Sequence, residues 1–286
     1  MEPPPRHSEG DHPWWAAELL IGNVVIMNIV VLIKQVPDTW SARTLAASDH
    51  TLDRACADVV LDEINERAVE EALTIKEAVG GEVTVVTMGP QRATEAIRKA
   101  LSMGADKAVH LCDEGLHGSC AVQTAKALAT VIGALGEVDL VIAGNEATDG
   151  TVGAIPAMVA DVLGLPELTH ARKVTIEGRT VTVERETDDA VTVLRAELPA
   201  VVSVNEKINE PRYPSFKGIM AAKKKPVSTL SLADAGIAHG DVGLAGATST
   251  VIESTPRPPR VAGQIVTDEG DGGARIADYL IGQKLI

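Results

Sequence analysis

Apolar residues recur in two rhythms along the first half of the chain. Ile29–Ile33 is an unbroken apolar run, the mark of a strand buried on both faces. LDEINERAVEEALTIKEAV, residues 61–79, has helical period and carries Glu four residues before Lys. EVTVVTM (82–88) predicts a second strand. Gly89 and Pro90 then punctuate, and PQRATEAIRKALSMG predicts a helix closed by glycine. KAVHL (107–111) predicts a third strand, 119–134 an Ala-rich helix and VDLVIAG (138–144) a fourth strand. A loop of small residues, GNEATDGTVG, leads into a helix through AIPAMVADVLG. Strand and helix in alternation predict an α/β fold, a doubly wound, mostly parallel sheet with right-handed crossovers.

Past Leu165 and Pro166 the texture changes. KVTIEG, RTVTVERET, AVTVLRAEL and AVVSVN are short β-branched runs joined by turns, and they predict an antiparallel addition to the sheet. FKGIMAAKKK predicts a short helix with a triple-lysine end. From about Ser231, Gly, Ala, Ser, Thr and Pro dominate up to a final amphipathic stretch, ARIADYLIGQKLI. The expected division is a leader over 1–26, an α/β domain over 27–230 with a docking loop at 205–226, and an extended arm over 231–286 that wraps a partner. The leader is Pro-rich and polar before the Trp14–Trp15 pair. It reads either as an extension ahead of a functional start at Met27 or as a short amphipathic helix packed on the body.

Composition narrows the function. A formal net charge of −14 argues against a surface built for DNA or RNA. Trp14, Trp15, Trp40, Tyr213, Phe216 and Tyr279 are too few for a base-stacking platform. Cys56, Cys112 and Cys120 make no disulfide framework, and a reducing, cytoplasmic setting is expected. The apolar stretch from Trp14 to Ile33 is broken by Glu18, Gly22, Asn23 and Asn28, so no membrane insertion is expected. Neither G-x-G-x-x-G nor G-x-x-x-x-G-K-[ST] occurs. His110, Cys112, His117 and Cys120 have zinc-ligand chemistry, but their spacing matches no common site and no metal is expected. Ser119 near His117 lacks a nucleophile elbow. No self-contained catalyst can be assembled.

Two segments stand out. In an open α/β sheet, ligands sit beyond the carboxyl ends of the strands where strand order reverses. The fourth strand feeds Asn145, Glu146, Ala147, Thr148, Asp149, Gly150, Thr151, Val152 and Gly153 into a helix start. Its glycines and the helix amides suit a phosphate, and a plain strand–helix loop is the other reading. The second segment, Asn205–Pro226, holds six basic residues, Lys207, Arg212, Lys217, Lys223, Lys224 and Lys225, against Glu206 and Glu210. It also holds Tyr213 and Phe216. It reads as a docking loop for an acidic partner, or as a solvated loop with its aromatics turned into the core.

At these residues the chain resembles the beta (small) subunit of electron-transfer flavoproteins. VERETDDAVTVLRAELPAVVSVNEKINEPRYPSFKGIMAAKKKPV (183–227) carries the likeness, with NIVVLIKQVPD, INERAVEEAL, MGPQRATEAIRKALSMGADKAVHL and VIAGNEATDG. The resemblance implies a non-enzymatic electron carrier of adenine-nucleotide-binding fold, paired with an alpha subunit that holds most of one FAD. Such a pair accepts electrons from flavin dehydrogenases, among them the acyl-CoA dehydrogenases of fatty acid oxidation, and passes them to a quinone oxidoreductase. The beta subunit buries a structural AMP. In a bifurcating group a second FAD takes that place and NADH is used. A stand-alone nucleotide-binding sensor on the same scaffold is a third reading.

Carried over, the nucleotide site would comprise Leu32, Asp62, Glu63, Ile64, Asn65, Met88, Gly144, the loop 145–153, Ala154 and Ile155. Carboxylates at 62 and 63 would repel a phosphate if they pointed inward. The docking loop would comprise Asn209, Glu210, Pro211, Arg212, Tyr213, Pro214, Ser215, Phe216 and Lys217, with Phe216 as the inserted anchor. Asp38, Thr39, Trp40 and Glu186 would meet the flavin domain.

Overall fold

The apolar run near the start of the chain becomes the middle of a sheet. The computed structural model describes residues 27–55, 57–259, 263 and 265–286, so the expectations for the leader and for Cys56 lie outside it. In chain order the strands are β1 (Met27–Leu32), β2 (Gln35–Pro37), β3 (Val59–Leu61), β4 (Gly81–Met88), β5 (Lys107–Leu111), β6 (Leu140–Gly144), β7 (Glu167–Glu177), β8 (Thr180–Glu186), β9 (Val191–Glu197), β10 (Ala200–Val204) and β11 (Val227–Leu230). The helices are α1 (Glu63–Val79), α2 (Thr94–Met103), α3 (Ala121–Gly133), α4 (Ile155–Leu163), α5 (Phe216–Ala222), α6 (Gly243–Gly246) and α7 (Gly272–Gly282).

One nine-stranded sheet runs in the order β11-β5-β4-β1-β6-β10-β7-β8-β9, and β2 and β3 form a separate antiparallel pair. Every pairing from β11 to β7 is parallel; β8 and β9 add antiparallel to β7. Successive side chains of a strand point to opposite faces, and β1 serves two cores accordingly. Ile29 and Val31 join Val69, Leu73, Ile97 and Leu101 of α1 and α2. Val30 and Leu32 join Leu128, Val131 and Val159 of α3 and α4. Burying each such side chain stabilises the fold by roughly 1.5–3 kcal/mol, which makes the sheet centre rigid.

The doubly wound, mostly parallel α/β class read from the sequence is the observed one, with antiparallel strands added at one side. One assignment changes. AVVSVN, expected in the antiparallel addition, is β10, inserted parallel between β6 and β7. Its five residues are all buried, which suits an interior position in a parallel sheet. The first part of the stretch expected as an arm, just past Ser231, packs into a core. Leu232 is fully buried and Val242 nearly so, packed on the α3 and α4 side. The chain forms one compact unit up to Val251 and a second over Ile252–Ile286. Within the second unit, α7 buries none of its residues, and Ile276, Tyr279 and Ile281 are exposed.

Candidate functional site

β1 lies between β4 and β6, and the chain passes to opposite sides of it, so strand order reverses between β1 and β6. The crevice beyond their carboxyl ends is the expected place for a ligand. Leu32 pairs in register with Ala143, which brings the end of β1 beside Gly144. A Cβ on Gly144 would sit 2.5 Å from Asn65 Nδ2 and 3.0 Å from Ile64 Cγ2, so glycine lets the first turn of α1 press against β6. Asn65 Oδ1 accepts from the Lys34 amide at 2.7 Å. Leu32, Ile64, Asn65 and Gly144, scattered in sequence, thereby share one crevice.

Asp62 caps α1 and is wholly buried. Its carboxylate faces protein donors, among them Thr148 N at 2.7 Å and Thr148 Oγ1 at 2.8 Å. The charge that would repel a phosphate is thus spent inside the protein, while Glu63 is exposed. The loop itself departs from ordinary backbone. Thr151 has φ 47°, its amide bonded to Ala147 O at 2.9 Å, and Gly153 has φ 67°. Val152 and Gly150 are exposed. Asn145 Oδ1 is buried without a protein donor, while the Asn145 amide bonds Val204 O.

Asp149, next to Thr148, gives this loop a second hold. Its buried carboxylate takes Lys34 Nζ at 2.7 Å and Arg54 Nη2 at 3.1 Å. Burial alone would push its pKa up; the two cations outweigh that and hold it below the usual carboxylate value. Arg54 also donates to Gln35 O at 3.2 Å, and Gln35 Nε2 donates to Arg92 O at 2.9 Å. Lys34 and Arg54 were not singled out by sequence reasoning. The only hint is a lysine directly after a buried strand; nothing in the sequence pairs Arg54 with Asp149, 95 positions on. Met88 ends β4, where its neighbour Gly89 receives His110 Nε2 on its carbonyl at 3.0 Å.

The segment expected to dock is pinned rather than loose. Arg212 lies across α1: Nε meets Glu70 Oε2 at 2.8 Å and Nη1 meets Glu77 Oε1 at 2.6 Å. Asn209 Nδ2 donates to Arg67 O and to Glu71 Oε2. Glu71 is raised above its usual pKa by burial, against the opposing pull of the Asn209 bond. Ser215 caps α5 through Gly218 N at 3.0 Å. Gly218 has no room for a Cβ, which would stand 2.5 Å from Ser102 O on α2. Lys225 buries its ammonium on Leu101 O and Ala105 O at the end of α2, and burial lowers its pKa. Lys207 pairs with Glu186 at 3.0 Å. Three of the six cations counted from sequence therefore pair within the chain, Lys207 while itself exposed; Lys217, Lys223 and Lys224 are exposed in the same segment as Tyr213 (95% exposed) and Phe216 (81%). Ile219 and Met220 extend the apolar patch, while Glu210, Pro211 and Pro214 frame it.

Among the remaining expected positions, Asp38 and Thr39 lead into Trp40, whose ring is 96% exposed. Asp38 Oδ1 accepts from Trp40 N and fixes the turn. Glu186 is held by Lys207 and Arg172, and its pKa is lowered by them in that order. His110, Cys112, His117 and Cys120 face different partners: Gly89 O, Gln91, Asp49 and Thr248. Among the described residues no cluster of His, Cys, Asp and Glu could hold a metal, and no helix is long and apolar enough to cross a membrane.

Residues 50–235 match the family model described as "Electron transfer flavoprotein domain". Over 264 residues the chain is 65% identical to the electron transfer flavoprotein subunit beta of Mycobacterium tuberculosis (strain ATCC 25618 / H37Rv), covering 91% of this chain and 99% of that one. It is 41% identical over 243 residues to the protein of the same name from Thermoanaerobacterium thermosaccharolyticum, covering 84% and 92%. It is 34% identical over 242 residues to the caffeyl-CoA reductase-Etf complex subunit CarD of Acetobacterium woodii, again covering 84% and 92%.

Proposed function

The chain belongs to the electron transfer flavoprotein family as a beta subunit, and from that premise we propose that it works as the docking and scaffolding half of an electron carrier. Its companion is the alpha subunit, which holds most of one FAD. That flavin supplies the redox chemistry; this chain's residues supply a rigid base and a landing surface. The donors are flavin dehydrogenases, the acyl-CoA dehydrogenases of fatty acid oxidation among them, and the acceptor is a quinone oxidoreductase.

The observation that carries this reading is the pinned loop at 209–217. Arg212 and Asn209 hold its base on α1, so Tyr213 and Phe216 are presented without the entropy cost of ordering a free loop. Exposed aromatics in one segment with the exposed Lys217, Lys223 and Lys224 suit an acidic partner with an apolar pocket. Glu186 and the Asp38–Thr39–Trp40 turn are proposed to meet the mobile flavin domain.

The switch-point crevice is proposed to hold AMP. The residues present fit an adenine nucleotide. Gly144 leaves no side chain in the floor, and Asn145 Oδ1 is an acceptor still lacking a donor such as an amine or hydroxyl. Lys34 and Arg54 together neutralise Asp149, so that carboxylate does not stand as a free negative charge in the loop. AMP there is structural, filling the crevice beside the loop.

The test is electron uptake by the purified heterodimer. Phe216→Ala should raise the KM of a partner dehydrogenase for the carrier about tenfold or more, with flavin content and subunit association unchanged. Unaltered dehydrogenase kinetics would defeat the docking role. Mass spectrometry of the heat-released nucleotide should find AMP and one flavin per heterodimer; two flavins would mean that FAD occupies the crevice, as in a bifurcating carrier.

A further inference from the structure

The two oxygens of Asp62 serve two different elements. Oδ1 accepts from Ile64 N at 3.0 Å and Asn65 N at 3.2 Å, closing the first turn of α1. Oδ2 accepts from Thr148 N at 2.7 Å and Thr148 Oγ1 at 2.8 Å, 86 positions away in the loop after β6. A carboxylate offers about four acceptor directions, and four donors fill them. Full burial is tolerable for this charge because every direction is satisfied. No acceptor is left over for a ligand hydroxyl or amine.

The segment so held is strained. Thr151 adopts φ 47°, a conformation a β-branched residue seldom takes, whereas Gly153 at φ 67° is unstrained. Strain of this kind persists only where the surroundings impose it. Asp149 fixes the loop through Lys34 and Arg54, and Asp62 fixes it through Thr148. With both holds in place, the loop amides keep one arrangement before a ligand arrives.

We propose that Asp62 is a positioning residue: through Thr148 it sets the conformation of the 145–153 loop, and through that loop the affinity of the crevice for an adenine nucleotide, without touching the nucleotide. The second half of this statement rests on the nucleotide reading given above.

A helix cap alone would be the simpler role, and two variants separate the two. Asp62→Asn keeps one oxygen for the α1 amides and turns an NH2 group against the Thr148 N–H. Thr148→Val removes one donor from the loop side and leaves the cap as it is. The heterodimer, stripped of nucleotide, is titrated with AMP by calorimetry, and amide hydrogen exchange over 145–153 is followed in parallel. Asp62→Asn should raise the AMP dissociation constant about tenfold or more, and Thr148→Val by less. Exchange of the loop amides should quicken in both, while those of α1 stay protected. AMP affinity within about twofold of the parent in both variants, with loop exchange unmoved, overturns the proposal. Should the parent bind no AMP while the variants still loosen the loop, the nucleotide reading falls and the loop-setting role of Asp62 stands.

Discussion

Asp149 is a charge kept in the interior by two neighbours, and that fixes the sign of its pH response. Its folded pKa lies below the ordinary Asp value because Lys34 and Arg54 overcome the cost of burial. The stabilisation it gives is therefore complete above the pKa of an unfolded Asp and is lost as pH falls through the folded value. Asp149→Asn should cost about 1–2 kcal/mol at neutral pH, less than a wholly buried pair because both cations are partly exposed. Urea melts of variant and parent should converge as pH falls through the folded pKa of Asp149; a gap that persists in strong acid would contradict the assignment. Asp49 offers a spectroscopic counterpart. The His117 ring, then two bonds from Thr51, hold its pKa at about 2. In a carboxyl NMR titration of His117→Ala, the Asp49 midpoint should move up toward the usual value.

At the scale of elements, α5 depends on a glycine. Gly218→Ala would drive a methyl into Ser102 O, lifting α5 from α2 at a cost of about 1–3 kcal/mol. The drop should appear in the melting temperature, and an unchanged melt would mean that α5 is not seated as described. Arg212→Ala should speed proteolysis within 207–217 without altering the helix content seen by circular dichroism. The strands and helices around β1 were legible in the sequence because burial on both faces writes long apolar runs, and because Gly80, Gly104 and Gly164 mark helix ends. β10 was misplaced because alternation fixes a strand but not its direction. Leu232 and Val242 were hidden in a Gly- and Ala-rich stretch, where single buried anchors leave no period to detect. The loop after β6 could be named from its place behind a strand. Its holding residues could not, since Asp62 and Arg54 reach it across 86 and 95 positions. Counting charge likewise overstated the unpaired positive charge of 205–226, because Arg212 finds Glu70 142 residues away.

For the whole molecule, the division at Val251 separates a unit with two cores from one whose helix has none. Deleting 252–286 should weaken association with the alpha subunit; an unaltered dissociation constant would count against a partner-binding role for this segment. One further consequence concerns the three consecutive lysines at 223–225. Lys223 and Lys224 are exposed, whereas the Lys225 amine is occupied by two carbonyls. An amine-reactive cross-linker or an acetylating reagent should therefore modify Lys223 and Lys224 faster in the native protein than Lys225, whose yield should rise on unfolding. The yield at that third position thus serves as an internal gauge of whether the fold survived the labelling.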